Sequence, residues 1–216
     1  MNDFLNYRKR TQFIFSIIFF LVLIGGWFYP LLGYFIPFCM ILGIGSSFFV
    51  GRKWCDWTCP RGSFYDFCLR PLSPKREIPG ILKNINFRLL VLVILMVFML
   101  VNLVLRWPDP IKIGKFFVIL LTITTVLGII LALLFHPRSW CLICPIGTLI
   151  HFTGNKNKRF KIDSDKCISC KLCDNNCPIQ INPSQFKKSG LEVINNSDCL
   201  RCGVCISVCP KKAISR

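Results

Sequence analysis

The sequence predicts an α-helical membrane protein with four transmembrane helices, arranged as two repeated hairpins, followed by a small cysteine-rich α+β domain. Three observations predict it. The 216 residues are 53% hydrophobic and only 17% charged, where soluble domains carry roughly a quarter charged residues. No charge occurs from Thr11 to Gly51, from Leu89 to Leu105 or from Phe116 to Phe135. Of the 14 cysteines, most crowd into the last quarter of the chain. These figures argue against an ordinary soluble enzyme. The formal charge of +17 invites a nucleic-acid reading, but the basic residues stand beside apolar runs and cysteines, so lipid and metal are the expected partners and nucleic acid is not.

Apolar backbone in hydrocarbon must satisfy its own hydrogen bonds, which forces helix, and about 20 residues at ~1.5 Å each cross a bilayer. The stretch from Thr11 to Gly51 is too long for one span and fits two. Its break falls near Tyr29, Pro30 and Gly33, where proline and glycine punctuate and the aromatic suits an interface. A second hairpin runs from about Arg88 to Phe135, its arms separated by Arg106, Trp107, Pro108, Asp109, Pro110, Lys112 and Lys115. Arg8, Lys9 and Arg10 ahead of an apolar run have the order of a signal peptide. No small-residue cleavage site follows, and apolar sequence continues to Val50.

Orientation follows from the flanking charges. Arg8, Lys9 and Arg10 precede the first helix, a lysine- and arginine-rich segment lies between Arg52 and Arg88, and Arg138 follows the fourth helix. The first hairpin turn is uncharged, and the second carries Arg106, Lys112 and Lys115. This bias places both termini in the cytoplasm of a multi-pass protein in a bacterial-type inner (cytoplasmic) membrane. Trp27 and Trp107 fall at the outer ends, and Trp54, Trp57 and Trp140 at the inner ends, as interfacial anchors.

Residues 1–155 thus form the membrane domain, and 156–216 a separate polar domain. The latter contains CISCKLCDNNCP, with Cys167, Cys170, Cys173 and Cys177, and CLRCGVCISVCP, with Cys199, Cys202, Cys205 and Cys209. Spacing C-x2-C-x2-C-x3-C-P is the bacterial ferredoxin pattern, in which the fourth cysteine of each run crosses to the other cluster. One [4Fe-4S] cluster is therefore expected on Cys167, Cys170, Cys173 and Cys209, and a second on Cys199, Cys202, Cys205 and Cys177. Zinc does not account for the third cysteine, the trailing proline or the duplication. Disulfides are disfavoured in a reducing cytoplasm.

A second repeat is quieter. GRKWCDWTCPRGSFYDF follows the second helix and HPRSWCLICPIGTLIHF the fourth. Both read Arg, one residue, Trp-Cys, a short gap, Cys-Pro, one residue, Gly, which makes the membrane domain a parallel duplication of two helices plus a Cys-Pro loop. Cys55, Cys59, Cys141 and Cys144 would meet at the cytoplasmic mouth. A third iron-sulfur site, another redox role and a structural role are all open for them, with Pro60 and Pro145 ending helices and Gly62 and Gly147 shaping turns. Cys39 reads as a packing residue inside the second span, and Cys68 as a spare. Haem is not expected, because His136 and His151 both flank the second motif and neither has a histidine partner on another span. His136 reads first as an interfacial residue after the fourth helix, and second as a proton acceptor.

Four spans, the GRKWCDWTCPRG and RSWCLICPIG motifs and the paired CxxCxxCxxxCP runs together resemble the NapH family of ferredoxin-type membrane proteins. The resemblance implies electron transfer from membrane quinol, through the clusters, toward a reductase system or another iron-sulfur protein. The family motif is usually C-x3-C-P in both places, whereas here the second is Cys141-x2-Cys144-Pro145. Two functions are carried forward: a quinol-oxidising electron-transfer protein, which is a component and not a stand-alone enzyme, and a redox-active assembly or regulatory membrane protein. Two thiolate-ligated clusters at about −2 each would bring the formal +17 to about +13.

Overall fold

The computed structural model describes residues 2–74, 76–154 and 159–215. The domain boundary expected between residues 155 and 156 lies outside the described residues. Four helical segments are long and apolar enough to cross a membrane: α1 (Asn2–Phe28), Pro30–Val50, which includes α2 (Phe35–Val50), and, further along the chain, two helices over Ile85–Arg106 and Pro110–Leu134. The first turn is a 3-10 segment, Pro30–Tyr34, where the sequence placed the break. Between the hairpins lie α3 (Lys53–Trp57), α4 (Pro60–Phe64), a π-helical turn at Tyr65–Leu69, and α5 (Gly80–Lys83). The second pair of spans is α6 (Ile85–Arg106) and α7 (Pro110–Leu134), followed by α8 (Ser139–Ile143) and α9 (Pro145–Thr153). Each hairpin therefore ends in two short helices, and Pro60 and Pro145 do not end helices as expected but open the second one of each pair, where proline needs no N–H.

Packing follows the repeat. The short helix α4 lies against α1, as α9 lies against α6 and α2, and α7 is the most buried span. At the hairpin-turn end the halves meet backbone to backbone: a Cβ on Gly33 would strike the Gly114 carbonyl, and one on Gly114 the Pro30 carbonyl. Outward faces stay apolar, with Leu21, Ile24, Phe49, Val104 and Leu105 exposed as lipid contact demands.

The tail folds on a three-stranded antiparallel sheet of order β2-β1-β3, from β1 (Lys161–Asp163), β2 (Leu191–Val193) and β3 (Ile214–Ser215). Lys161 faces Val193 on one side and Ser215 on the other. Two single-turn helices, α10 (Leu172–Asn175) and α11 (Val204–Ser207), carry the third cysteine of each run. Backbone conformation repeats with the sequence: positive φ occurs at Ser169, Lys171 and Gln180 in the first run and at the matching Arg201, Gly203 and Lys212 in the second. Left-handed residues at fixed places between cysteines turn successive backbone N–H groups inward, the arrangement that cradles anions.

Candidate functional site

The structure gathers the eight tail cysteines into two sets. Cys167, Cys170, Cys173 and Cys209 line one small cavity, walled by Ile162, Leu172, Pro210 and Ile214. Cys177, Cys199, Cys202 and Cys205 line another, walled by Phe160, Ile179, Ile194 and Leu200. Each of these cavities is lined by three cysteines of one run and the last of the other. Among the described residues, no three His, Cys, Asp or Glu side chains converge as ligands of a single ion do. Four thiols around an apolar cavity, in a run whose spacing and duplication zinc does not explain, fit a [4Fe-4S] group. Burial pushes the Cys173 thiol up to about 12, with the Asp174 carboxylate adding to it, and raises Cys177 and Cys199. Metal loading of such sites must therefore expel protons.

The four membrane cysteines also approach one another. Cys55 and Cys141 are buried in one apolar cluster, against which Cys144 packs. Burial pushes the Cys55 thiol up to about 11; Cys141 and Cys144 add to this, and Arg52 and Arg138 oppose it. Cys59 is raised further by burial and by the same neighbouring thiols. The difference in gap between the motifs is absorbed locally. Cys59 N–H donates to the Trp54 carbonyl at 2.9 Å and Cys144 N–H to the Trp140 carbonyl at 2.9 Å, so both loops close on their tryptophan although the first is one residue longer.

What sequence reasoning missed is how the halves are braced. Arg52, in the first motif, donates from Nη2 to the Cys141 carbonyl at 2.8 Å, and Arg138, in the second, donates from Nη1 to the Cys55 carbonyl at 2.7 Å. Each motif is held by the arginine of the other. The motif glycines allow it: a Cβ on Gly62 would lie 2.7 Å from both Arg138 Nη1 and the Cys55 oxygen, and one on Gly147 would lie 2.8 Å from Arg52 Nη2 and 2.7 Å from the Cys141 oxygen. Arg138 also bonds Asp66, through Nε at 3.0 Å and Nη2 at 2.8 Å, and Asp56 at 3.2 Å. Arg8 joins both acids, at 2.6 Å from Asp56 and 2.8 Å from Asp66. Burial alone would raise Asp66, but Arg138 and Arg8 hold its carboxyl well below the usual carboxylate range. The only sequence signal was the repeated Arg ahead of each Trp-Cys pair.

Two expectations are corrected here. Arg8 does not precede the first helix: it lies within α1, buried, because its guanidinium completes the Asp56 and Asp66 network. Trp140 is not an interfacial anchor: it is 5% exposed, with the Arg61 guanidinium 4.7 Å from its ring centre. Trp27 and Trp107 are exposed at the turn end, as expected. His136 lies in the turn after α7, its Nδ1 accepting from the Arg138 N–H at 3.3 Å. Cys68 sits in the π-helical turn beside the Ser16 hydroxyl, and Cys39 lies within α2.

Beside the motif cysteines a cleft opens between α2 and α6, floored by α7 and α9. Its walls are apolar, with Met40, Leu95, Met96, Met99 and Leu120, and its inner end is formed by Arg61, Trp140 and Cys144. Arg61 Nη2 and Trp140 Nε1 are buried there and find no acceptor among the described residues. Unpaired donors are costly in an apolar wall, and they mark a place where a ligand acceptor fits.

Comparisons with known proteins agree with this geometry. The 4Fe-4S binding domain family matches residues 32–79 and 118–162, the two Cys-Pro motif regions, and the 4Fe-4S dicluster domain family matches 159–210. An uncharacterized protein of Methanocaldococcus jannaschii is 30% identical over 81% of this chain and 68% of its own length. The ferredoxin-type protein NapH of Haemophilus influenzae is 32% identical over 74% of this chain, which spans 60% of that relative. A ferredoxin of Methanothermococcus thermolithotrophicus is 41% identical over 25% of this chain and 90% of its own length. No solved structure matches the chain. The tail is thus ferredoxin-like, the bundle is a membrane domain, and the function is iron-sulfur electron transfer. Since the NapH match covers 74% of the chain, far more than the ferredoxin-like tail alone, this protein is similar to the NapH-type ferredoxin-like membrane proteins across the membrane domain as well.

Proposed function

We propose that this protein oxidises membrane quinol in the cleft between α2 and α6 and passes the electrons through two tail clusters to a partner reductase or iron-sulfur protein. The cleft carries the reading. It is apolar, borders the lipid, and ends in two buried donors, Arg61 Nη2 and Trp140 Nε1, beside Cys144. A quinol head group offers oxygen acceptors on an apolar ring, which suits that lining. Arg61 is held in place by its Nε bond to the Tyr65 hydroxyl at 3.1 Å and by stacking over Trp140. Its free Nη2 can then orient a ligand oxygen without reorganising.

Oxidation of one quinol releases two electrons and two protons, and the clusters, when bound on the eight tail cysteines, each accept one electron at a time. The chain's residues position the donor, exclude water and hold the receiving thiols close. Cys55, Cys141 and Cys144 share one continuous apolar cluster with Cys177 and Cys202, so no aqueous layer separates the motifs from the tail. The 4Fe-4S binding domain match over both motif regions supports a further iron-sulfur group on Cys55, Cys59, Cys141 and Cys144, and the arginine braces take the carbonyls of Cys55 and Cys141. The basic flanks support cytoplasmic termini, which would release both the electrons and the protons on that side.

Short-chain benzoquinol and naphthoquinol, added anaerobically to the cluster-loaded full chain in detergent, should bleach the tail chromophore. Arg61→Gln should raise the half-saturating quinol concentration about tenfold, the cost of one charge-assisted hydrogen bond, and leave bleaching by dithionite unchanged. Clusters that stay oxidised with both quinols would refute the donor assignment and favour the assembly or regulatory alternative.

A further inference from the structure

The two halves of the membrane domain solve the same charge problem differently. Counting from the second motif cysteine, Asp66 and His151 occupy the same place, seven residues after Cys59 and Cys144 respectively. In the first half, Asp66 receives Arg8 from the half's own leading helix and Arg138 from the opposite motif. In the second half the corresponding arginines are Arg88, on the leading helix α6, and Arg52, from the opposite motif, but the acid is missing. The tail supplies it. Asp198 lies between them, with Arg88 Nη1 at 2.9 Å from Oδ2, Arg88 Nη2 at 3.0 Å and Arg52 Nη1 at 2.5 Å from Oδ1, and His151 Nδ1 at 2.9 Å from the same oxygen.

Asp198 immediately precedes Cys199. A second contact falls just after Cys177: Gln180 accepts from the Ile78 N–H at 2.8 Å and donates to the Arg76 carbonyl at 3.0 Å. Both contacts bracket the same cysteine set. In the other set Cys170 is exposed, beside exposed Ile168.

We infer that Asp198 is a positioning residue that seats the Cys177, Cys199, Cys202 and Cys205 site on the membrane motifs. That site becomes the receiving one, and the Cys167, Cys170, Cys173 and Cys209 site the delivering one. The receiving role rests on the quinol reading above; the seating does not. Electrons from quinol, one at a time, reach the seated site first and leave from the exposed site to a soluble one-electron acceptor. The two protons of each quinol are released to water on the same side of the membrane as the Cys-Pro motifs.

The test uses the cluster-loaded full chain in detergent with short-chain naphthoquinol as the probe. Asp198→Asn should keep its iron and sulfide content and its dithionite-reduced EPR spectrum. Its bleaching rate at saturating quinol should fall at least tenfold with the half-saturating concentration unchanged, the opposite split to Arg61→Gln. Amide hydrogen exchange in Pro145–Thr153 and around Arg52 should quicken. Arg88→Gln, which alters no tail residue, should reproduce both effects if Asp198→Asn loses iron. Unchanged exchange and rate in both variants would overturn the inference. A wild-type chain that quinol does not reduce would overturn the donor reading and the receiving role together, leaving the exchange measurement to decide the seating.

Discussion

The first half of the membrane domain carries its own acids, and the second half borrows one. Asp56 and Asp66 are sealed between Arg8 and Arg138 with almost no exposure, whereas Asp198 keeps a side chain 17% exposed at the joint with the tail. The seams differ in the same sense: α1 packs along α7, while α2 and α6 stand apart and leave the cleft. A duplicated scaffold thus has one closed half that carries its own acids and one open half to which both a ligand cleft and a ferredoxin-like tail attach. Buried ion pairs of this kind contribute more to a unique arrangement than to net stability, and breaking one side of them is what costs.

The comparison breaks most severely at Arg138. Arg138→Ala leaves two buried carboxylates with a single cation and should cost about 3–5 kcal/mol, read as lost detergent-stable protein or a lowered thermal midpoint. Arg52→Ala should cost less, about 1–3 kcal/mol, because Asp198 retains Arg88, His151 and some water. Equal losses would contradict the difference between halves. The glycines probe what the halves share. Gly62→Ala and Gly147→Ala each push a methyl between an arginine and the carbonyl it braces, and each should cost about 1–3 kcal/mol; a large gap between the two would show that the braces are not equivalent.

The tail's own repeat gives the smallest and most local contrast. Gly203 has φ +81 and its Cβ position lies 2.9 Å from Phe4, so Gly203→Val should cost about 2 kcal/mol or more through strain and collision. Its counterpart Lys171 sits at φ +57 with its side chain exposed. Lys171→Gly should stabilise by about 1 kcal/mol or less. Thermal loss of the cluster absorbance on anaerobic heating separates the two.

Much of this was legible in the sequence because it is periodic. Charge-free runs marked the apolar cores of the four spans, although α1 begins nine residues and α7 six residues ahead of its run, and cysteine spacing marked the tail as ferredoxin-like. The repeat of Arg, Trp-Cys and Cys-Pro showed the duplication. The arginine braces were hidden because Arg8, Arg52 and Arg138 sit where the positive-inside rule also wants a cation, so a topological explanation absorbed them. Asp198 was hidden for another reason: a single carboxylate beside a cysteine has no pattern, and its meaning depends on two arginines 110 and 146 residues away. The cleft was hidden because it is lined from helices distant in sequence, which no local signal records.

The borrowed acid also ties three parts of the molecule together at one charge. Arg52 belongs to the first half of the bundle, Arg88 to the second and Asp198 to the tail, so a single carboxylate neutralises a cation from each half. Lifting the tail would uncover both cations at once.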